Sequence, residues 1–151
     1  MSPFRWASRV YWEDTDGGGI VYYANYLRFL ERARTEWLRS LGYSQQALLG
    51  EPGIVFAVVS LHIEYRKPAK LDDELVITCE PRAEGAATLV FAQRICRRDG
   101  LSGRGRAAEL LVEASVRVAC LDARTLRARR LPEFLTHPAA TSAGSNLEEP
   151  S

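Results

Sequence analysis

The sequence predicts an α+β fold in one domain, and three observations carry that expectation. One stretch, Tyr26 to Leu41, repeats its apolar residues every three or four positions. The longer stretches after it alternate with period two. The chain has 151 residues, enough for one buried core, and shows neither an internal repeat nor an inter-domain linker.

The elements follow in chain order. "FRWASRVYW", residues 4–12, is aromatic and β-branched and reads as a strand. An acidic, glycine-rich turn comes next. In the helix, Tyr26, Leu30, Ala33, Trp37 and Leu41 form one face, and Arg28, Glu31, Arg32, Arg34, Glu36 and Arg39 fill the others. Asn25 is the expected N-cap and Gly42 the expected C′ residue. That gives about 16 residues and about 24 Å at 1.5 Å per residue. A short second helix is expected from Ser44 as cap to Gly50 as stop. In "VVSLHIEYRK", Val59, Leu61, Ile63 and Tyr65 share one face, and Ser60, His62, Glu64 and Arg66 the other. "LDD" is a turn into the strand "ELVITCEPR", and "TLVFAQRIC" follows "EGAA". In "AAELLVEASVRVACL", Leu110, Val112, Ala114, Val116, Val118 and Cys120 are expected to pack, with Glu109, Leu111, Glu113, Ser115 and Arg117 toward solvent. The helix stripe needs cover, and an antiparallel sheet of about five strands wrapped around it supplies that cover. Residues 1–135 form this domain. The tail 136–151, "THPAATSAGSNLEEPS", has little to bury and is expected to be disordered.

Composition narrows the function classes. A net charge of +1 gives no electrostatic case for binding nucleic acid or a membrane surface. No apolar run reaches the roughly 18 residues of a membrane span, and "MSPFRWASRV" shows no secretion signal. Cys79, Cys96 and Cys120 are odd in number, widely spaced and set in apolar strands. They are expected to be buried free thiols, which fits a reducing cytoplasm, and their spacing matches no metal motif. No nucleophile-elbow triad is present. His137 lies in the tail and is assigned no role.

The unusual stretch is "WEDTDGGGIVYYANY". In extended backbone Asp14 and Asp16 point the same way and Glu13 the opposite way. Acids at a turn before a helix also have an ordinary structural explanation. Gly17, Gly18 and Gly19 are more than a turn needs, and ordering them costs entropy; three together let the backbone approach something closely. The helix start beyond them offers free N–H groups to developing negative charge. Ile20, Val21, Tyr22 and Tyr23 are apolar enough to exclude water. A carboxylate, unpaired amides and a dry wall are the parts of an acyl-transfer site. The amides polarise a carbonyl, and the carboxylate attacks it or activates water.

"RVYWEDTDGGGIVYYANYLRFLERARTEWL", together with "YSQQAL", "EYRKPAKLDDELVI" and "LVFAQRI", resembles the signature of hotdog-fold acyl-CoA thioesterases of the 4-hydroxybenzoyl-CoA thioesterase type. Within that type it is most similar to the tol-pal-associated branch, over about residues 4–134. The resemblance implies a single hotdog domain with a long central helix wrapped by the sheet. It implies dimers that pair their sheets, often built into tetramers, with active sites at the subunit interface. It implies hydrolysis of an acyl or aroyl thioester to a carboxylic acid and coenzyme A. Coenzyme A enters as part of the substrate, and neither metal nor redox cofactor is expected. Asp16 is the implied catalytic carboxylate and the backbone amide of Tyr23 the implied carbonyl-polarising group. Gly18, Gly19, Ile20 and Val21 then border the substrate. Many members of the branch carry His where Tyr23 stands, so this chain departs from them there.

Other candidates have two readings each. Glu31, where the family also has an acid, can orient water or meet a partner; an ion pair with Arg28, Arg32 or Arg34, a few tenths of a kcal/mol, is the reading we favour. Arg66, Lys67 and Lys70 surround Pro68 and suit the phosphates of coenzyme A, or form a solvated turn. Arg94, Arg97, Arg98, Arg104 and Arg106 form a second basic region that can meet coenzyme A or an acyl carrier protein, though solvated surface accounts for most of it. His62 is expected to point outward. A hydratase usually needs a His paired with an acid on the reacting face, and His62 is in the wrong element. The alternative outside enzymology is a non-catalytic hotdog module that binds acyl carrier protein or envelope-assembly partners. Asp16 argues against it, because a binder need not keep a carboxylate beside an oxyanion site.

Overall fold

Tyr26, Phe29, Leu30, Ala33, Trp37 and Leu38 recur at helical spacing, and all six are buried along α1 (Tyr26–Ser40) in the computed structural model, which describes residues 3–98 and 109–136. The stripe is broader than the sequence pattern alone, since Phe29 and Leu38 join it. It lies on a five-stranded sheet made of β1 (Phe4–Arg9), β2 (Ile54–Tyr65), β3 (Glu74–Ala83), β4 (Thr88–Arg97) and β5 (Glu109–Asp122). The strand order is β1-β3-β4-β5-β2 and every pairing is antiparallel. α1 packs on β1 and β3. This is the hotdog arrangement, in one domain. Leu30 sits at its centre, fully buried. Leu30→Ala is expected to destabilise the fold by about 2–5 kcal/mol, read as a lower urea midpoint with unchanged slope.

Several boundaries differ from the sequence expectation, each for a local reason. β1 stops at Arg9, because the Tyr11 N–H donates to the Asp14 carboxylate (2.9 Å) and the chain turns into a 3₁₀ helix at Trp12–Asp14. Asn25 does not cap α1 with its side chain; a second 3₁₀ turn, Tyr23–Asn25, runs directly into the helix. Its amide instead donates to the Asp14 carbonyl (2.8 Å). At the other end Gly42 has φ of +93°, the left-handed C′ geometry that favours glycine. Ser44 accepts the Ala47 N–H (3.1 Å) and caps α2 (Gln45–Gly50).

The two faces of β2 and β5 are not as clean as period two suggests. The β2–β5 register slips between Val58 and Ser60, and β2 is an edge strand. Of the expected packing face of β2, only Ile63 is partly buried against the core; Val59, Leu61 and Tyr65 are exposed. In β5 a second slip lies between the partners of Ile95 and Cys96, so Leu111 turns inward, fully buried, and Leu110 is only half-buried. One extra residue shifts the alternation by one, as a bulge must. Cys79 and Cys120 are buried, Cys96 is half-buried, and all three are free thiols. Burial pushes the Cys79 thiol above its ordinary range. A short α3 (Glu133–Thr136) closes the described chain, with Thr136 as its last residue. Residues 137–151, including His137, lie outside the described residues, as do Arg104 and Arg106.

Candidate active site

The acidic stretch folds as a small hairpin. Asp16 N–H donates to Ile20 O (3.0 Å), Thr15 bridges Val21, and Tyr22 N–H donates to Asp14 O (3.1 Å). The returning arm is held from its far side as well. Val21 N–H donates to Ala69 O, Ile20 bridges Lys70, and Leu71 N–H donates to Gly19 O (2.9 Å each for the two bonds). Backbone pairing therefore fixes the arm on both edges, which is the support a precise site needs.

The two aspartates do not share a face. Asp14 closes the 3₁₀ turn, is buried, and spends its carboxylate on the Tyr11 N–H. Asp16 lies at the hairpin tip and is exposed. The helical turn between them rotates Asp14 inward, so the extended-backbone expectation fails here. Glu13 is exposed on the same turn.

The glycines have separate physical reasons. Gly17 (φ +89°) and Gly19 (φ +92°) hold left-handed backbone. Gly18 has an ordinary φ, but its N–H donates to Asp16 Oδ1 (2.7 Å), and a Cβ there would lie 3.1 Å from that oxygen. The clearance expected for an approaching ligand is thus taken at Gly18 by the carboxylate itself. Gly18→Ala is expected to push the Asp16 carboxylate aside and to lower turnover about tenfold or more, since small displacements of a reacting group are costly. The check is kcat/KM beside the melting temperature, which should move little at this exposed position.

Tyr23 opens the 3₁₀ turn that leads into α1. Its N–H has no acceptor among the described residues, whereas the Tyr22 N–H is taken by Asp14. The Tyr65 hydroxyl donates to the Tyr23 carbonyl (3.2 Å), and the Tyr23 and Tyr65 rings meet edge to face at 6.2 Å. Tyr26 Oη accepts the Ala69 N–H (2.9 Å), and burial raises that phenol above its ordinary range. Asn25, Tyr26 and Tyr65 thus brace the site, a role not read from the sequence; their partners are 11, 43 and 42 residues away. The expected dry wall is not closed within one chain. Val21 plugs the core, but Ile20 is 40% and Tyr23 62% exposed, and Tyr22 is exposed too.

The basic candidates separate in the same way. Arg66 is paired with Glu64 and Glu113, and Lys67 with Glu109. Arg94, Arg97 and Arg98 are paired with Glu113, with Asp73 and Glu109, and with Glu74 respectively. Lys70 stands beside the glycine hairpin and its ammonium has no ion pair among the described residues. His62 is exposed, 3.3 Å from Glu64. The helix ion pair favoured for Glu31 does not form: Arg32 lies over the Phe29 ring (5.8 Å), and Arg34 turns to Gln93 Oε1 (3.0 Å). Glu31 stands instead in the wall of a cleft between α1 and the sheet, with Arg34, Trp37, Phe56, Val58 and Phe91.

A profile of the thioesterase superfamily matches residues 18–103. The chain belongs to that superfamily. It is 46% identical over 132 residues to the acyl-CoA thioester hydrolase YbgC of Escherichia coli, covering 87% of this chain and 92% of that one. It is also 46% identical over 119 residues to the acyl-CoA thioesterase YbgC of Haemophilus influenzae, covering 79% and 81%. The crystal structure of a probable thioesterase from Bartonella henselae superposes with a TM-score of 0.77 at 32% identity, covering 87% of this chain and all of that one. The superfamily match opens two residues after Asp16.

Proposed function

We infer that this chain hydrolyses acyl-CoA thioesters, with Asp16 as nucleophile or general base and the Tyr23 amide as the donor to the thioester carbonyl. The observation that carries the reading is the division of labour in the hairpin: Asp14 is consumed by structure, while Asp16 is exposed and aimed by the Gly18 N–H beside a helix start with a free amide. A carbonyl oxygen received by Tyr23 N–H gains charge as the tetrahedral centre forms, and the amide stabilises it. The carboxylate supplies the oxygen that attacks, either its own or that of a water it deprotonates. Gly19, Ile20 and Val21 border the thioester, and Lys70 is the cation best placed for the phosphate end. Arg66 and Lys67 are compensated by acids and contribute less. This chemistry asks for no metal and no redox group.

The active unit is a homodimer, alone or within a tetramer. β2 is an edge strand with Val58, Val59, Leu61 and Tyr65 exposed, an apolar edge that a soluble protein normally covers. A two-fold axis pairs β2 with its copy in opposite directions. The Tyr65 end of β2 carries Tyr23, and the Phe56–Val58 end lines the cleft, so pairing brings the hairpin of one chain to the cleft of the other. Three free cysteines favour a reducing compartment, the cytoplasm, and among the described residues no helix is long and apolar enough to cross a membrane. An acyl carrier protein is a further thioester donor to test, alongside any tie to envelope assembly.

The experiment is a panel of aliphatic and aromatic acyl-CoAs with a thiol-reactive dye. Turnover of at least one of them, with release of one thiol per acid, is expected. No turnover on any chain length, with tight binding of acyl carrier protein, would replace the enzyme with the binding module.

A further inference from the structure

The cleft between α1 and the sheet is apolar on most of its wall: Trp37, Leu38, Phe56, Val58, Leu89, Phe91, Val118 and Leu135. Arg34 interrupts it. Its guanidinium is partly buried, makes one hydrogen bond, to Gln93, and lies 5.9 Å from the centre of the Phe91 ring. No carboxylate lies within 4.0 Å of it among the described residues, whereas Arg66, Arg94, Arg97 and Arg98 each have one within that distance. Gln93 is 2% exposed and is itself locked, donating to Leu30 O (3.1 Å) and Thr78 O (3.3 Å). The cation is therefore held in place from behind by a neutral group. Trp37, in the same wall, is 2% exposed and its indole N–H has no acceptor among the described residues. Arg34 and Trp37 offer the cleft donors only; of its other polar side chains, Glu31 is exposed, and Thr35 Oγ1 accepts from the exposed Gln45 (2.9 Å).

A desolvated guanidinium without a counter-charge is costly for a protein to keep, and its planar fork matches a carboxylate. Burial draws the Arg34 guanidinium below its ordinary range, with Cys79 and Glu31 offsetting only part of that. We propose that Arg34, positioned by Gln93, selects acyl groups that carry a carboxylate at the end remote from the thioester. The inference rests on the cleft being the acyl site of the hydrolase proposed above. It names Arg34 as a specificity-determining residue and dicarboxylic half-thioesters as the substrate class.

The test measures binding, so that it stands apart from turnover. Adipoyl- and suberoyl-CoA are compared with hexanoyl- and octanoyl-CoA by calorimetry on the full chain carrying Asp16→Asn. At least tenfold tighter binding of the carboxylate-bearing member of each pair is expected. Arg34→Met in that background should bring the ratio to about one, and Arg34→Lys should keep part of it. Equal affinities within both pairs overturn the proposal, as does a ratio that survives Arg34→Met in a protein whose melting temperature shows it folded. If Arg34→Met does not fold, the Arg34→Lys ratio decides: no change overturns the proposal. A preserved ratio in a wild type that turns over no thioester leaves this selection standing and removes the hydrolase reading instead.

Discussion

Asp16→Asn is expected to lower kcat about 10³-fold or more on every acyl-CoA that the wild type hydrolyses, with a melting temperature within about 4 °C of wild type. The substitution keeps the shape. Asn Oδ1 accepts the Gly18 N–H as Asp16 Oδ1 does at 2.7 Å, so the hairpin tip has no reason to move. The side chain is exposed, so no desolvation energy changes sign. What disappears is the negative charge, and with it both the nucleophile and the base. Asp14→Ala is the matched control. It removes the acceptor of the Tyr11 N–H and the closure of the Trp12–Asp14 turn. It should cost stability, about 0.5–2 kcal/mol as for a lost cap, and leave turnover per folded molecule far less affected than Asp16→Asn does. Retained activity in Asp16→Asn, or its loss in Asp14→Ala without unfolding, moves the catalytic role to the other aspartate. Single-turnover hydrolysis in oxygen-18 water then separates the two routes open to Asp16. Label that enters the protein carboxylate marks direct attack.

What the sequence makes legible is what repeats locally. The stripe Tyr26, Leu30, Ala33 and Trp37 follows the helix period, and all four are buried. Val112, Ala114, Val116, Val118 and Cys120 follow the strand period, and they are buried too. The glycine cluster stands out because three consecutive glycines are entropically expensive. Three things are not local. The 3₁₀ turn at Trp12–Asp14 separates two aspartates that look equivalent on paper. The bulge at Leu111 turns that residue inward against the alternation, and a bulge leaves no sign in an alternating pattern until the partner strand is known. The Arg34–Gln93 pair spans 59 positions, so the inward turn of Arg34 could not be foreseen from its helix, where Glu31 is the natural partner. The edge status of β2 likewise follows from strand order, which period two does not encode.

That edge carries the second large effect. Val59→Lys with Leu61→Lys is expected to convert the protein to monomers in size exclusion and to lower kcat/KM at assay concentrations by about 10²-fold or more, as expected when the two halves of a site lose their relative placement. Neither residue is near the hairpin in the chain, and both are exposed in a single subunit. On a free surface such changes cost no more than about 0.5 kcal/mol and leave catalysis alone. A large loss therefore has to come from a missing neighbour. Lys is also the residue that natural edge strands use to refuse pairing, because joining two such edges buries unpaired charge. Mass action gives an independent sign: the specific activity of the variant should rise with protein concentration, while that of the wild type stays flat above its own dissociation constant. A variant that remains dimeric and active places the subunit contact elsewhere. A monomeric variant with full activity shows that the hairpin and a cleft within one chain suffice, and the cross-subunit site is then wrong.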